Sequence, residues 1–125
     1  MKLSAKTSRY EGTPVLWLSG ELDPATQAEL DLTVAQFAEA GEHLILDLRD
    51  VSYADSTSIA TIINLHRRVS RRGGALAIVC CHEGMGRVFR MTRLVGVLNL
   101  RDDLDGAARY VSTARERSVL RHGVV

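Results

Sequence analysis

Four consecutive polar residues, Asp55-Ser56-Thr57-Ser58, separate an apolar run from an amphipathic stretch. They offer one carboxylate and three hydroxyls. Side chains of these types satisfy the unpaired N–H groups at a helix start. A hydroxyl there can also accept a phosphoryl group, adding about −1.5 to −2 charges at neutral pH. A nucleophilic role for Ser56 would require a base beside it, yet the chain has no Gly-x-Ser-x-Gly elbow and no histidine obviously placed to reach it. A phospho-receiver would need an acidic pair after its first strand and a lysine after its last, and neither occurs. The expectation is a protein that is not an enzyme.

Other reactive groups have structural readings. His66 falls on the apolar face with Ile59, Ile62 and Ile63, the place of a packed, hydrogen-bonded histidine. Cys80 and Cys81 are adjacent, so bridging them would force a strained ring; reduced thiols are expected, and no His/Cys spacing suggests zinc. No metal and no cofactor is expected. Arg67, Arg68, Arg71 and Arg72 crowd a helix end, where the dipole favours cations. Aromatic residues that would stack on bases are missing nearby, which argues against direct nucleic-acid binding. Gly84-Met85-Gly86 reads as a tight turn and Trp17 as core.

Composition agrees. The 125 residues are 46% hydrophobic and 25% charged, with a formal charge of +1, as in one ordinary globular domain without a global field for polyanions. No secretory signal and no apolar stretch long enough to span a bilayer is visible, so a cytoplasmic protein without membrane contact is expected.

The elements that must hold the polar stretch follow from periodicity. Leu3 to Tyr10 and Val15 to Ser19 read as strands of a hairpin around Glu11-Gly12-Thr13-Pro14. Asp23 and Pro24 suit the N-cap and first position of a helix with a Leu30, Val34, Phe37 and Ala38 stripe, ending at Gly41. Leu44 to Leu48 alternates as a strand; after Ser56 the apolar residues Ile59, Ile62, Ile63 and Val69 switch to helical spacing, closing at Gly73-Gly74. Ala75 to Cys80 is a strand buried on both faces. A short helix from about Met85 to Thr92, a strand at Val97 to Leu100 and a helix from Asp102 or Asp103 to about Arg117 complete the series.

This order predicts one α/β domain over residues 1–117 with a loosely held tail at 118–125. Its mixed sheet has about five strands, an N-terminal hairpin plus parallel crossovers, and about four helices packed mainly on one face. Helices that follow parallel strands all start at one edge of the sheet. Asp23, Asp55-Ser56 and the loop His82-Glu83-Gly84-Met85-Gly86 should therefore share a rim, where open α/β sheets usually work.

Gly20-Glu21-Leu22-Asp23, Leu46-Asp47-Leu48, Val51 to Thr57, Gly73-Gly74 and Val88 to Thr92 occur in an order and spacing that resemble STAS domains, more narrowly stand-alone bacterial anti-sigma factor antagonists. The resemblance covers about residues 5 to 112. It implies a partner switch in transcription regulation and stress response. Unphosphorylated, such a protein binds an anti-sigma factor that is also a serine kinase, freeing a sigma factor. Phosphorylation on the serine after the aspartate releases it, and a PP2C-type phosphatase resets it. Carried over, the phosphoacceptor is Ser56, with Thr57 and Ser58 as alternatives. The partner-binding set is Asp23, Asp55, Ser56, Thr57, Ser58, Glu83 and Met85, and a weak homodimer is allowed.

Two charges about 5 Å apart at an effective dielectric near 20 interact by roughly 3 kcal/mol, worth about a hundredfold in affinity before screening. Charge addition beside Asp23 and Asp55 is therefore enough for a switch. The chain departs from the family at Ser58, where most members have glycine, and at Thr92-Arg93-Leu94, usually Thr-Gly-Leu. A Ser58 side chain would hinder close approach of a kinase or redirect phosphorylation. The alternative function is a non-switching STAS docking or ligand-binding module of a transporter or multi-STAS signalling complex.

Overall fold

Glu11 and Gly12 have φ values of 49° and 81°. Two successive positive values make the two-residue turn whose twist matches antiparallel strands. The turn joins β1 (Ser4–Tyr10) to β2 (Thr13–Leu22), with Tyr10 opposite Thr13. Pro14 thus lies in β2 rather than in the turn, next to the strand start, where a missing N–H is tolerated. The computed structural model describes residues 3–80, 85–91 and 98–122.

From β2 onward the sheet is parallel. β3 (Leu44–Ala54) pairs with β2 and with β4 (Leu76–Val79), and β5 (Asn99–Arg101) pairs with β4, giving the order β1-β2-β3-β4-β5. Alternation along the strands makes two apolar faces. Leu16, Leu18, Leu46, Leu48 and Ile78 meet α1 (Gln27–Phe37), α2 (Ser56–Arg71) and α3 (Met85–Met91) through Leu30, Phe37, Ile62, Leu65 and Phe89. On the other face Val15, Ile45, Ala77 and Val79 are covered by Ala107 and Val111 of α4 (Leu104–His122). Burial of each large aliphatic side chain is worth roughly 1.5–3 kcal/mol, so α2, with Ile59, Ile62, Leu65 and Val69 buried, is firmly held.

The C-terminal end of α2 is tied to α1. Arg72 donates to the carbonyls of Ala38 and Gly41, filling acceptors that the end of α1 leaves free, and Arg68 pairs with Glu39. After α2 the chain passes close beside the carbonyl of Glu42: a Cβ at Gly74 would sit 1.9 Å from that oxygen, so only glycine fits. Half of the arginine cluster is thereby explained by helix packing.

Several expectations need correction. The strand at Leu44 does not end at Leu48 but runs to Ala54; its exposed positions Asp50, Ser52 and Tyr53 carry polar or amphipathic groups that read as a loop. Helix α1 starts at Gln27, not at Asp23 and Pro24, because Asp23 caps a separate turn. Gly86 belongs to α3 rather than to a tight turn. Trp17 is half-buried, donating to Asp50 Oδ2 at 2.6 Å with the Lys6 ammonium over its ring. His66 is half-buried, but its Nδ1 has no hydrogen-bond partner among the described residues. The last helix continues to His122, past the boundary expected at 117, so residues up to 122 are helix rather than tail.

Candidate functional site

Parallel pairing brings Asp23 and the Asp55-Ser56-Thr57 segment to one rim. Leu22 pairs with Ala54, so Asp23 and Asp55 each stand one residue beyond a matched position on neighbouring strands, which are about 5 Å apart. The Asp55 N–H donates to the Leu22 carbonyl at 2.9 Å, fixing the two chain ends together.

Asp55 has extended backbone (φ −83°, ψ 174°), as an N-cap requires, and its Oδ1 accepts the Ser58 N–H at 2.8 Å. The nearby Ser58 hydroxyl, followed by that N–H, holds the Asp55 carboxyl below the usual carboxylate range. In the hydrogen-bond geometry the hydroxyl proton itself goes to Gln27 Oε1 at 3.1 Å, so Asp55 and Gln27 compete for it. An anionic Asp55 is the resting state of the rim at neutral pH.

The three hydroxyls have different fates. Ser56 and Thr57 are exposed in the first turn of α2, whereas Ser58 is fully buried. Burial removes Ser58 from the phosphoacceptor and partner-contact sets, and its inward side chain does not obstruct a partner's approach. It instead anchors a polar clamp between two helices. Gln27 Nε2 donates to Asp31 Oδ1 at 2.8 Å and to Thr61 Oγ1 at 3.0 Å, and Thr61 donates to the same Asp31 oxygen at 2.9 Å. The residue that departs from the family pattern is therefore part of the joint between α1 and α2.

Asp23 is organised differently. Its Oδ1 accepts the N–H groups of Ala25 at 2.9 Å and Thr26 at 3.2 Å, closing a turn ahead of α1. Thr26 is buried; its hydroxyl donates to the Glu21 carbonyl at 2.9 Å and accepts the Asp23 N–H at 3.1 Å. The Asp23 carboxylate stays half-exposed beside the end of β3.

Of the remaining candidates, Met85 opens α3 but is only 2% exposed, packed into the core, so its side chain is no partner contact. Glu83 lies outside the described residues, as do Cys81 and Thr92 to Leu94. Sequence reasoning missed Tyr53, which is 53% exposed and pairs across the rim with Glu21. A large aromatic left in water two residues before the N-cap was visible in the sequence as an apolar residue at an out-facing strand position. Among the described residues no three His, Cys, Asp or Glu side chains cluster to hold a metal, and no helix is long and apolar enough to cross a membrane. Cys80 is buried just beyond β4.

The chain is similar in sequence and in fold to known proteins. The anti-sigma-B factor antagonist of Bacillus subtilis is 26% identical over 109 residues, spanning 87% of this chain and 100% of that protein. The anti-sigma F factor antagonist of Paenibacillus polymyxa is 26% identical over 108 residues, spanning 82% and 90%. Among solved structures, an anti-sigma factor antagonist from Mycobacterium paratuberculosis matches with a TM-score of 0.79 at 22% identity, over 88% of this chain and 94% of that one. The unphosphorylated anti-sigma factor antagonist SpoIIAA matches with a TM-score of 0.65 at 17% identity, over 98% and 99%. The STAS domain profile matches residues 4–107, which takes in the hairpin, the parallel strands, the Asp55–Ser56 rim and the start of α4, and the chain belongs to the STAS domain family.

Proposed function

We propose that this chain is an anti-sigma factor antagonist that binds an anti-sigma serine kinase through the Asp23–Asp55 rim and is released by phosphorylation of Ser56. A sigma factor is freed while the complex lasts, and a PP2C-type phosphatase restores the binding form. The observation that carries this reading is the exposed Ser56 hydroxyl at the first residue of α2, next to a cap carboxylate kept anionic and on a rim that also holds Asp23. The names of the relatives support the antagonist role, and SpoIIAA has also been solved in a phosphorylated form.

The physics of release is charge. A phosphate on Ser56 would sit at the positive end of the α2 dipole, so the fold tolerates it. A partner docked over the rim would meet that phosphate together with Asp23 and Asp55 as one anionic patch. Tyr53 supplies an exposed aromatic surface of the kind that anchors interfaces. Titration of anti-sigma kinases from the same genome tests the reading: Ser56→Ala should bind like the wild type, and Ser56→Glu should bind about a hundredfold more weakly. Equal binding of Ser56→Glu and wild type would overturn it.

A further inference from the structure

A second polar site lies far from the rim. A cleft of about 620 Å³ opens between α4, β5 and the Gly73–Gly74 turn that follows α2. That volume is typical of small-molecule sites. The turn is at the opposite end of α2 from Ser56; a helix of 16 residues is about 24 Å long. Occupancy of the cleft and docking at the rim therefore need not compete.

Its lining is cationic. Among the described residues the walls carry the guanidinium groups of Arg101, Arg109 and Arg117 and no carboxylate. Arg101 is fixed in place, donating to the Leu100 carbonyl at 2.7 Å and stacking 4.9 Å from the Tyr110 ring centre. Arg109 and Arg117 stand two turns apart on α4, both exposed and in no ion pair among the described residues. Two carboxylates of the helix start are hydrogen-bonded at the edge of the cleft: Asp103 Oδ1 accepts the N–H of the lining residue Gly106 at 2.7 Å, and Asp105 accepts the Tyr10 hydroxyl. Hydroxyls of Ser70 and Thr113 complete the wall.

Planar guanidinium forks match phosphate oxygens with paired donors, and three arginines along one recess, outnumbering the Asp103 carboxylate at its edge, favour a multiply charged anion. We propose that this cleft binds a small soluble polyanion bearing phosphate groups, with Arg101 as the fixed contact and Arg109 and Arg117 closing on the ligand from α4. The phosphate belongs to a free solute rather than to a lipid headgroup, because the arginines line a recess rather than a flat face.

Calorimetric titration of the full chain with inorganic tripolyphosphate tests this. One site per chain is expected, weakened at least about tenfold by Arg109→Ala with Arg117→Ala. The pair Arg67→Ala with Arg71→Ala removes the same charge from exposed positions of α2 and should change affinity by less than about twofold. All four substitutions are on exposed side chains, and far-UV circular dichroism confirms the fold. Absence of binding, or equal weakening by both pairs, overturns the proposal. So does binding to vesicles of anionic phospholipid without binding to tripolyphosphate.

Discussion

The starts of α1 and α2 are alike in sequence and unlike in structure. Each follows a parallel strand, each opens with an aspartate, and each lies on the same rim. Asp55 caps its helix directly through the Ser58 N–H. Asp23 caps a turn, and α1 begins only after the buried Thr26 has tied that turn to Glu21. The difference lies in which hydroxyl is drawn inward. At α2 Ser58, the third helical residue, turns inward to reach Gln27, and Ser56, the first, stays in water. At α1 the hydroxyl on this part of the rim is consumed by the turn itself. One helix start is thus built to stay still, and the other presents a free hydroxyl from a firmly capped base.

The largest effect expected from this contrast is at Ser58. Ser58→Glu places an unpaired carboxylate in a fully buried site and should cost about 3 kcal/mol or more in urea denaturation. Thr26→Val keeps the shape but leaves the Glu21 carbonyl without its donor, for a loss of about 1–2 kcal/mol. Asp55→Ala should cost about 1 kcal/mol as the loss of a true N-cap, and Asp23→Ala about half of that, because it releases a turn rather than a helix. Equal costs at the two aspartates would erase the distinction. Ser56→Ala and Ser56→Glu should shift stability by less than about 0.5 kcal/mol, as expected of an exposed first-turn position.

Stability should also depend on pH in two windows. Burial holds the imidazoles of His43 and His66 below their ordinary pKa, reinforced at His66 by Arg67 and opposed at His43 by Glu42. Between the lowered folded value and about 6.5 the unfolded chain binds more protons, so stability is full above about pH 6.5 and falls as the pH drops below it. The depressed Asp55 carboxyl acts in a lower window: its contribution is present above about pH 4 and is lost as pH falls through the folded value. Denaturation midpoints measured from pH 8 to pH 3 should show both limbs, and Asp55→Asn should flatten the acidic one.

Much of this arrangement was legible in the residues. Alternation at Leu44 to Leu48, the period change after Ser56 and the continuous run at Leu76 to Val79 gave the strands, the α2 face and the parallel order that bring Asp23 and Asp55 together. The rest depended on contacts between distant residues. β3 outlasts its apolar alternation because its last residues, Val51 to Ala54, are paired with Gly20 to Leu22, while Asp50, Ser52 and Tyr53 are exposed like loop residues. Ser58 looked like an obstacle to a partner; only its bond to Gln27, 31 positions earlier, shows that it faces inward. Met85 sat in the right loop for the rim, but the start of α3 turns it into the core.

The central claim is that Ser56, and neither of its hydroxyl neighbours, is the switch. Incubation with the anti-sigma kinases of the same genome and ATP, followed by mass-spectrometric mapping of the phosphate, tests it most directly. The account predicts a single phosphate on Ser56 and loss of kinase binding by the modified protein. Phosphate on Thr57 or Ser58 instead of Ser56, no phosphate on any of the three hydroxyls, or a Ser56-phosphorylated chain that binds as tightly as the unmodified one would contradict it.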